Sequence, residues 1–306
     1  MNDSMEFYPS GIGAGADFVK FREKETKNAA GCFQLIELET KKVGFQFPDR
    51  EIINYNLRLI YGIGPATLLK LKNEGYDTLR DLLGHPRWSA AAAAVLKMIA
   101  AGKLERLADY GATGLELLGF FKPETVKFID IETSGLYYIH PVFLIGILEF
   151  KNGKGYLRQL LARDYAEEKA ILAELSEEFR NTKAIASYNG KSFDIPYLRG
   201  RFRFYRLDDD FNLFHLDLLG ITRKNYRKIL PDCRLATVEK YLLEEERTGD
   251  LPGSEAPEYY RRFLESGASR LLEPVLKHNA ADLLALAKLL GVLTSGKQVE
   301  VSADGN

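Results

Sequence analysis

Val126-Lys127-Phe128-Ile129-Asp130-Ile131-Glu132-Thr133-Ser134-Gly135-Leu136 is the stretch on which the fold turns. An apolar, β-branched run climbs to an acid and stops at Gly135, the pattern of a buried strand followed by a turn. Side chains two apart on a strand share a face, so Asp130 and Glu132 project side by side. Two carboxylates that close raise each other's pKa unless a cation neutralises them. Hard divalent ions such as magnesium or manganese take oxygen ligands of this kind. For the pair alone, the alternative is a strand end whose acids face water.

Two further acidic elements follow. In Ile185-Ala-Ser-Tyr-Asn189-Gly-Lys-Ser192-Phe193-Asp194-Ile-Pro196-Tyr-Leu198 a short strand (184–187) enters a polar, Gly-containing loop and then an amphipathic helix. Ser192 suits the N-cap, and Asp194 and Pro196 suit the first turn. The macrodipole favours an acid there in any protein, so Asp194 gains meaning only from its partners. In Leu276-Lys-His278-Asn279-Ala-Ala-Asp282-Leu-Leu-Ala-Leu286 the apolar residues recur at helical spacing, and His278 and Asp282 share a face.

Together, Asp130-Ile-Glu132-Thr133, Asn189…Phe193-Asp194 and His278…Asp282 resemble the three exonuclease motifs of the DEDD superfamily of 3′–5′ exonucleases. The closer resemblance is to the bacterial YprB-type group. His215-Leu-Asp-Leu-Leu219, Cys233-Arg-Leu-Ala-Thr-Val-Glu239, Leu251-Pro-Gly253 and the His278-Asn279 pair are similar to that group as well. The similarity covers roughly Val126 to Leu293. It implies an α/β chain with a ribonuclease H-like fold, a mixed central sheet flanked by helices. It also implies two divalent cations, Mg2+ or Mn2+, held about 4 Å apart by Asp130, Glu132, Asp194 and Asp282 on either side of a scissile phosphate. His278 would accept or orient the proton of the attacking water. Thr133, Asn189 and Phe193 would shape the loop or contact the strand being cut. One departure stands out: the better-known branches place a His five residues before the final Asp or a Tyr four before it, whereas His278 is a His at the Tyr spacing.

At 306 residues and 46% hydrophobic, the chain has core enough for two modest domains. A net charge of −1 excludes the bulk basic signature of a tight, non-specific DNA binder. Cys32 and Cys233 are far apart without metal-ligand spacing, as reduced thiols would be. No apolar stretch approaches the ~20 residues that span a bilayer, and the first residues lack signal-peptide character. A cytoplasmic protein with no membrane partner is expected, and no feature speaks to oligomeric state.

Residues 1–50 form an N-terminal segment. Its Gly11-Ile-Gly-Ala-Gly15 run lacks the marks of a phosphate loop. Cys32–Glu39 and Val43–Phe47 suggest a β-hairpin turning at Thr40-Lys41-Lys42. Residues 51–122 read as a small helical domain. Within it, Leu57–Lys72 reads as helix, Gly62-Ile-Gly64-Pro turn and helix, and resembles a helix-hairpin-helix module. Gly62 and Gly64 would let a nucleic-acid backbone approach, with amides of the second helix, Lys70 and Lys72 facing its phosphates. A tight packing turn or a protein contact is the alternative.

Residues 123–293 would form the exonuclease domain, with strands at 126–132, 142–150, 154–160, 183–187 and 213–217. Helices are expected at 166–180, 192–205, near 235–246 and at 270–292, followed by a flexible tail (294–306). Two basic clusters, Arg199/Arg201/Arg203/Arg206 and Arg223/Lys224/Arg227/Lys228, are solvated faces or contacts for an unpaired strand. The expected function is a metal-dependent 3′–5′ exonuclease acting on single-stranded or frayed DNA or RNA. A nucleic-acid-binding scaffold with weak catalysis and a structure-selective endonuclease are the alternatives.

Overall fold

The computed structural model describes Phe7 and residues 18–42, 47–209 and 211–295. The chain divides into two compact units, residues 46–122 and the remainder.

In the smaller unit, α1 (Pro65–Asn73), α2 (Ser89–Ala100), α3 (Leu104–Asp109) and α4 (Gly114–Leu118) enclose Ile53, Leu57, Leu71, Leu82, Val95 and Leu107. Thr113 and Glu116 form a capping box at the start of α4. The helix expected before Gly62 is instead two short 3-10 turns, Arg50–Tyr55 and Leu57–Leu59. Asn56 leaves helical geometry between them (φ −89°, ψ 79°), so no continuous ladder forms. Gly62 has φ +91° and faces the Trp88 ring, where an added Cβ would lie 3.4 Å away; this turn requires glycine.

The larger unit is built on one seven-stranded sheet. Its strands are β1 (Phe18–Asn28), β2 (Gly31–Lys42), β3 (Val126–Thr133), β4 (Val142–Lys151), β5 (Lys154–Leu161), β6 (Ala184–Ser187) and β7 (Phe214–Asp217). Their spatial order is β1-β2-β5-β4-β3-β6-β7. The first five are antiparallel to their neighbours, while β3, β6 and β7 run parallel, so the sheet is mixed as expected.

Helices cover both faces. Ile129, Ile131, Ile145 and Ile147 point to one side and join a core with Ile171 of α5 (Glu168–Arg180) and Leu198 of α6 (Asp194–Phe204). The alternate residues, Asp130 and Gly146 among them, point to the other side. There α10 (Glu273–Thr294) packs on β3, β4 and β5.

The strands from 126 on begin and end within a residue or two of expectation. Two helices were not expected, α7 (Leu218–Tyr226) and α9 (Ala256–Ser266). The helix near 235–246 is cut short: α8 (Leu235–Val238) gives way to a π-helical turn (Glu239–Leu243) that ends in left-handed Glu244.

The N-terminal hairpin also differs. It turns between Asn28 and Gly31, not at Thr40–Lys42, and β2 pairs with β5, so both strands belong to the sheet. Gly31 lies in the positive-φ region (+147°) that the turn needs. The second strand expected for this hairpin lies outside the described residues apart from Phe47, which is not in a strand. No described helix is long and apolar enough to cross a membrane.

Candidate active site

Asp130 and Glu132 sit near the end of β3, beyond the point where it separates from β6; the last paired residues are Phe128 and Ala186. Asp130 is oriented by a chain of amides laid across three strands. Opposite it in β4 is Gly146, and opposite Gly146 in β5 is the fully buried Gln159. Asn279 of α10 lies in the space above Gly146, where an added Cβ would come 2.3 Å from its Oδ1. Gln159 Nε2 donates to Asn279 Oδ1 (2.9 Å), and Asn279 Nδ2 donates to Asp130 Oδ2 (2.8 Å). Each amide is thereby fixed in one orientation and passes that orientation on.

Asp194 opens α6 from a tightly held loop. Asn189 adopts a left-handed conformation (φ +68°), accessible to Asn at modest strain. Its N–H and that of Lys191 both donate to the Asp217 carboxylate, at 2.9 and 3.1 Å. Asp217 also caps α7 through the Leu219 N–H (3.1 Å), so one acid at the end of β7 positions both loop and helix. Gly190 lets the loop lie against Ser187 and Asp194, leaving Asp194 buried. The Ile131 N–H, beyond the end of the β3–β6 pairing, bonds to the Asp194 carboxylate.

The third element brings a partner the sequence did not announce. Asp282 Oδ1 is 2.6 Å from Arg247 Nη1, and Arg247 also holds Asp250 (2.9 Å) and Glu239 (2.7 Å). His278 Nδ1 bonds Asp250 Oδ2 (3.0 Å), with Nε2 3.7 Å from Asp282 Oδ2. Gly253 approaches this ring so closely that its Cβ would stand 3.2 Å from Nε2.

The acids lie close enough to act on one another's charge. Burial raises Glu132 to about 8; His278 opposes that rise, while Asp282 and Asp194 reinforce it. Burial lifts Asp194 to about 7 against its backbone hydrogen bonds, with Asp217 and Asp282 adding to the rise. Asp130 is pushed well above the usual carboxylate range by burial and by Asp282, Glu132 and Asp194. For His278, burial alone would lower the pKa. The Asp250 hydrogen bond and the charges of Asp282 and Glu132 outweigh it and carry the ring to about 9. These carboxylates favour the protonated imidazole.

Among the described residues, no three His, Cys, Asp or Glu side chains are gathered around one point as a metal ion requires. Two of the four acids are engaged by other side chains, Asp282 by Arg247 and Asp130 by Asn279. The donor set still fits a hard divalent cation: its four acids are all oxygen donors, and burial with neighbouring carboxylates raises three of them, a strain that positive charge relieves.

Of the other expected residues, Thr133 is buried and donates to the Gly135 carbonyl (2.8 Å). Asn189 is exposed on the loop, and half-buried Phe193 tilts against Tyr197. Gly62, Gly64 and Lys70 belong to the smaller unit. Sequence reasoning missed Gln159, Gly146, Asp217 and Arg247. A polar residue and a glycine inside otherwise apolar strands are readable signals for the first two. Arg247 lies in a charged loop with no periodicity to mark it.

No curated protein matches the chain. Among solved structures, it is similar to a family B DNA polymerase from the archaeon Pyrobaculum calidifontis (16% identity, TM-score 0.44, covering 55% of this chain and 24% of that one). It is similar also to E. coli exonuclease I in a zinc-bound complex with single-stranded DNA (17% identity, TM-score 0.37, covering 56% and 41%). The same enzyme with a dA16 oligonucleotide matches at 19% identity and TM-score 0.33, covering 53% and 45%. The match spans less than half of each of these proteins, and at such identities the likeness is one of fold alone. The profile of the RNase_H superfamily matches residues 127–294, more than half of the chain and every element that carries the four acids. The chain belongs to the RNase_H superfamily.

Proposed function

We propose that the protein is a divalent-cation-dependent nuclease that hydrolyses phosphodiester bonds of single-stranded or frayed DNA or RNA from the 3′ end. The observation carrying this reading is the convergence of Asp130, Glu132, Asp194 and Asp282 from three separate segments, with burial and neighbouring carboxylates raising the pKa of the first three. A structural role does not require so unfavourable an arrangement, and a bound cation relieves it. Asp130 and Asp194 would be the principal ligands, with Glu132 and Asp282 completing the set. Bound Mg2+ or Mn2+ would polarise the phosphate and acidify a water.

The chain's own residues supply the rest. Asn279 holds Asp130 in register, and Asp217 fixes the loop that presents Asp194. His278, bonded to Asp250 and beside Asp282, accepts or orients the proton of the attacking water. Thr133, Asn189 and Phe193 border the strand being cut. Gly62, Gly64 and Lys70 of the smaller unit bind a nucleic-acid backbone.

The test is digestion of 5′-labelled single-stranded DNA and RNA with manganese, magnesium or EDTA. The expected outcome is a metal-dependent ladder shortening from the 3′ end. Internal cuts in circular substrates would replace the exonuclease with an endonuclease, and no cutting with either metal would overturn the reading.

One observation favours a scaffold with weak catalysis: Arg247 already neutralises Asp282. Arg247→Gln separates the two readings. In an enzyme whose Arg247 yields to the cation, the variant melts lower in EDTA and binds manganese several-fold more tightly by calorimetry. In a scaffold it melts lower with no gain in metal affinity.

A further inference from the structure

Many of the exposed cations among the described residues stand beside a carboxylate. Lys20, Lys24, Arg80, Arg180, Arg203, Lys240 and Arg261 each reach a carboxylate. Others have none, and one group of these gathers around α7 and the loop that leads into Asp194. Lys191, Arg199, Arg223, Lys224, Arg227 and Lys228 are all exposed, and none makes an ion pair with a described residue. In a chain of net charge −1, six cations without partners make a local positive field that the overall balance conceals.

Their position adds to this. Asp217 ties the Asn189–Lys191 loop to the first turn of α7, so the helix departs from the loop that leads into Asp194. Lys191 and Arg199 lie close enough to bear electrostatically on His215, which bonds Ser187 at 2.7 Å. Arg223 bears likewise on Tyr188, the residue that starts the loop. At the helical rise, Arg227 at the end of α7 lies roughly 15 Å along from the Asp217 cap, a distance of about four nucleotides of a stacked strand.

We propose that Lys191, Arg199, Arg223, Lys224, Arg227 and Lys228 form a track for the sugar-phosphate backbone of a single strand whose end lies at the Asp130–Asp194 site. The proposal rests on the nuclease reading for its direction. Charge complementarity alone selects the occupant, a flexible polyphosphate. The track contains no fixed array of base-edge donors and acceptors, so it binds without regard to sequence. It also answers the question the composition raises, how a chain without a basic surplus holds a polyanion.

The experiment measures binding separately from cutting. Anisotropy of a 5′-labelled dT 20-mer in EDTA is recorded from 25 to 200 mM salt for the parent and for Arg223→Glu/Lys224→Glu/Arg227→Glu/Lys228→Glu. The expected result is at least tenfold weaker binding at the lowest salt, with the log–log salt slope shallower by about 3. A control with Arg180→Glu/Arg261→Glu, on α5 and α9, keeps most of the parent slope, and circular dichroism confirms that the exposed-residue variants stay folded. Unchanged affinity and slope in the quadruple variant overturn the track. If the parent binds through these residues but never cuts with metal, the nuclease reading falls while the track stands. If it cuts, and the variant binds and cuts the 20-mer as the parent does, the track falls alone.

Discussion

Asp130→Asn is expected to lose cleavage by on the order of 10³-fold, because removing a ligand forfeits several kcal/mol of charge stabilisation in the transition state. In EDTA at pH 8 the same variant is expected to melt at a higher temperature than the parent. Asn keeps the shape, and its Oδ1 can still accept from Asn279 Nδ2. What it removes is the buried acid that Asp282, Glu132 and Asp194 all disfavour in its charged form.

The pH dependence follows from the same shifts. A carboxyl whose folded-state pKa exceeds its unfolded value binds its proton more tightly when folded. Its contribution to stability is complete below the unfolded pKa and is lost as pH rises through the folded one. For Asp194 that window runs from 3.8 to about 7, and for Glu132 from 4.5 to about 8. His278, raised from 6.5 to about 9, acts in the same sense. The metal-free parent should therefore lose on the order of several kcal/mol between pH 5 and pH 9, and Asp130→Asn less. Saturating manganese should restore about 2.7 kcal/mol at a hundred times its Kd. Melting curves across this range with EDTA and with manganese check both points. A parent profile that is flat in EDTA would mean that the acids do not share one site.

Arg201→Met should be the most destabilising single change outside the site, by about 3–5 kcal/mol, because it leaves a buried charge without its partner. Glu168 is fully buried; its Oε1 accepts from Arg201 Nε (2.7 Å) and the Val142 N–H (2.8 Å), and its Oε2 from the Tyr205 hydroxyl (2.9 Å). Arg201 Nη1 also reaches the carbonyls of Tyr138 (3.1 Å) and Ile139 (3.3 Å). The pair thus fastens the loop after β3 onto α6, with help from Tyr197, whose hydroxyl donates to the Gly135 and His140 carbonyls. Urea unfolding measures the loss, and proteolysis at the exposed Leu136–Ile139 segment reports the loosened loop. Replacing both residues, as Arg201→Met/Glu168→Leu, should recover part of the stability. A single-variant loss below about 1 kcal/mol would contradict this account.

The parts that were legible in the sequence share a property: one dominant periodicity. The β-branched run into Asp130 and the apolar helical run around Asp282 each specify an element through burial, and the structure follows them closely. Strand β1 was missed because Lys20, Arg22, Glu23, Lys24 and Glu25 carry no apolar alternation; an edge strand is shielded by charge instead. The helix before Gly62 was overcalled because Leu57, Leu59 and Ile60 are buried in 3-10 turns whose spacing mimics a helix over so short a span. At the site, the carboxylates could be read from type and spacing. Their orienting partners, Gln159, Asn279 and Arg247, act across strands and loops that no local pattern links.

The pairing of β2 with β5 sets an order of events during synthesis. Glu39 waits for Tyr156, a partner made more than a hundred residues later, and the whole of the smaller unit is translated in between. At roughly 5–20 residues per second, the free edge of β2 stands open for several seconds or longer. The β1–β2 hairpin, local and charged, can close in microseconds and keep half of that edge problem from arising. A two-stranded hairpin alone is marginal in water, so until β5 arrives the other edge of β2 is the place where a chaperone or a neighbouring chain would compete with it.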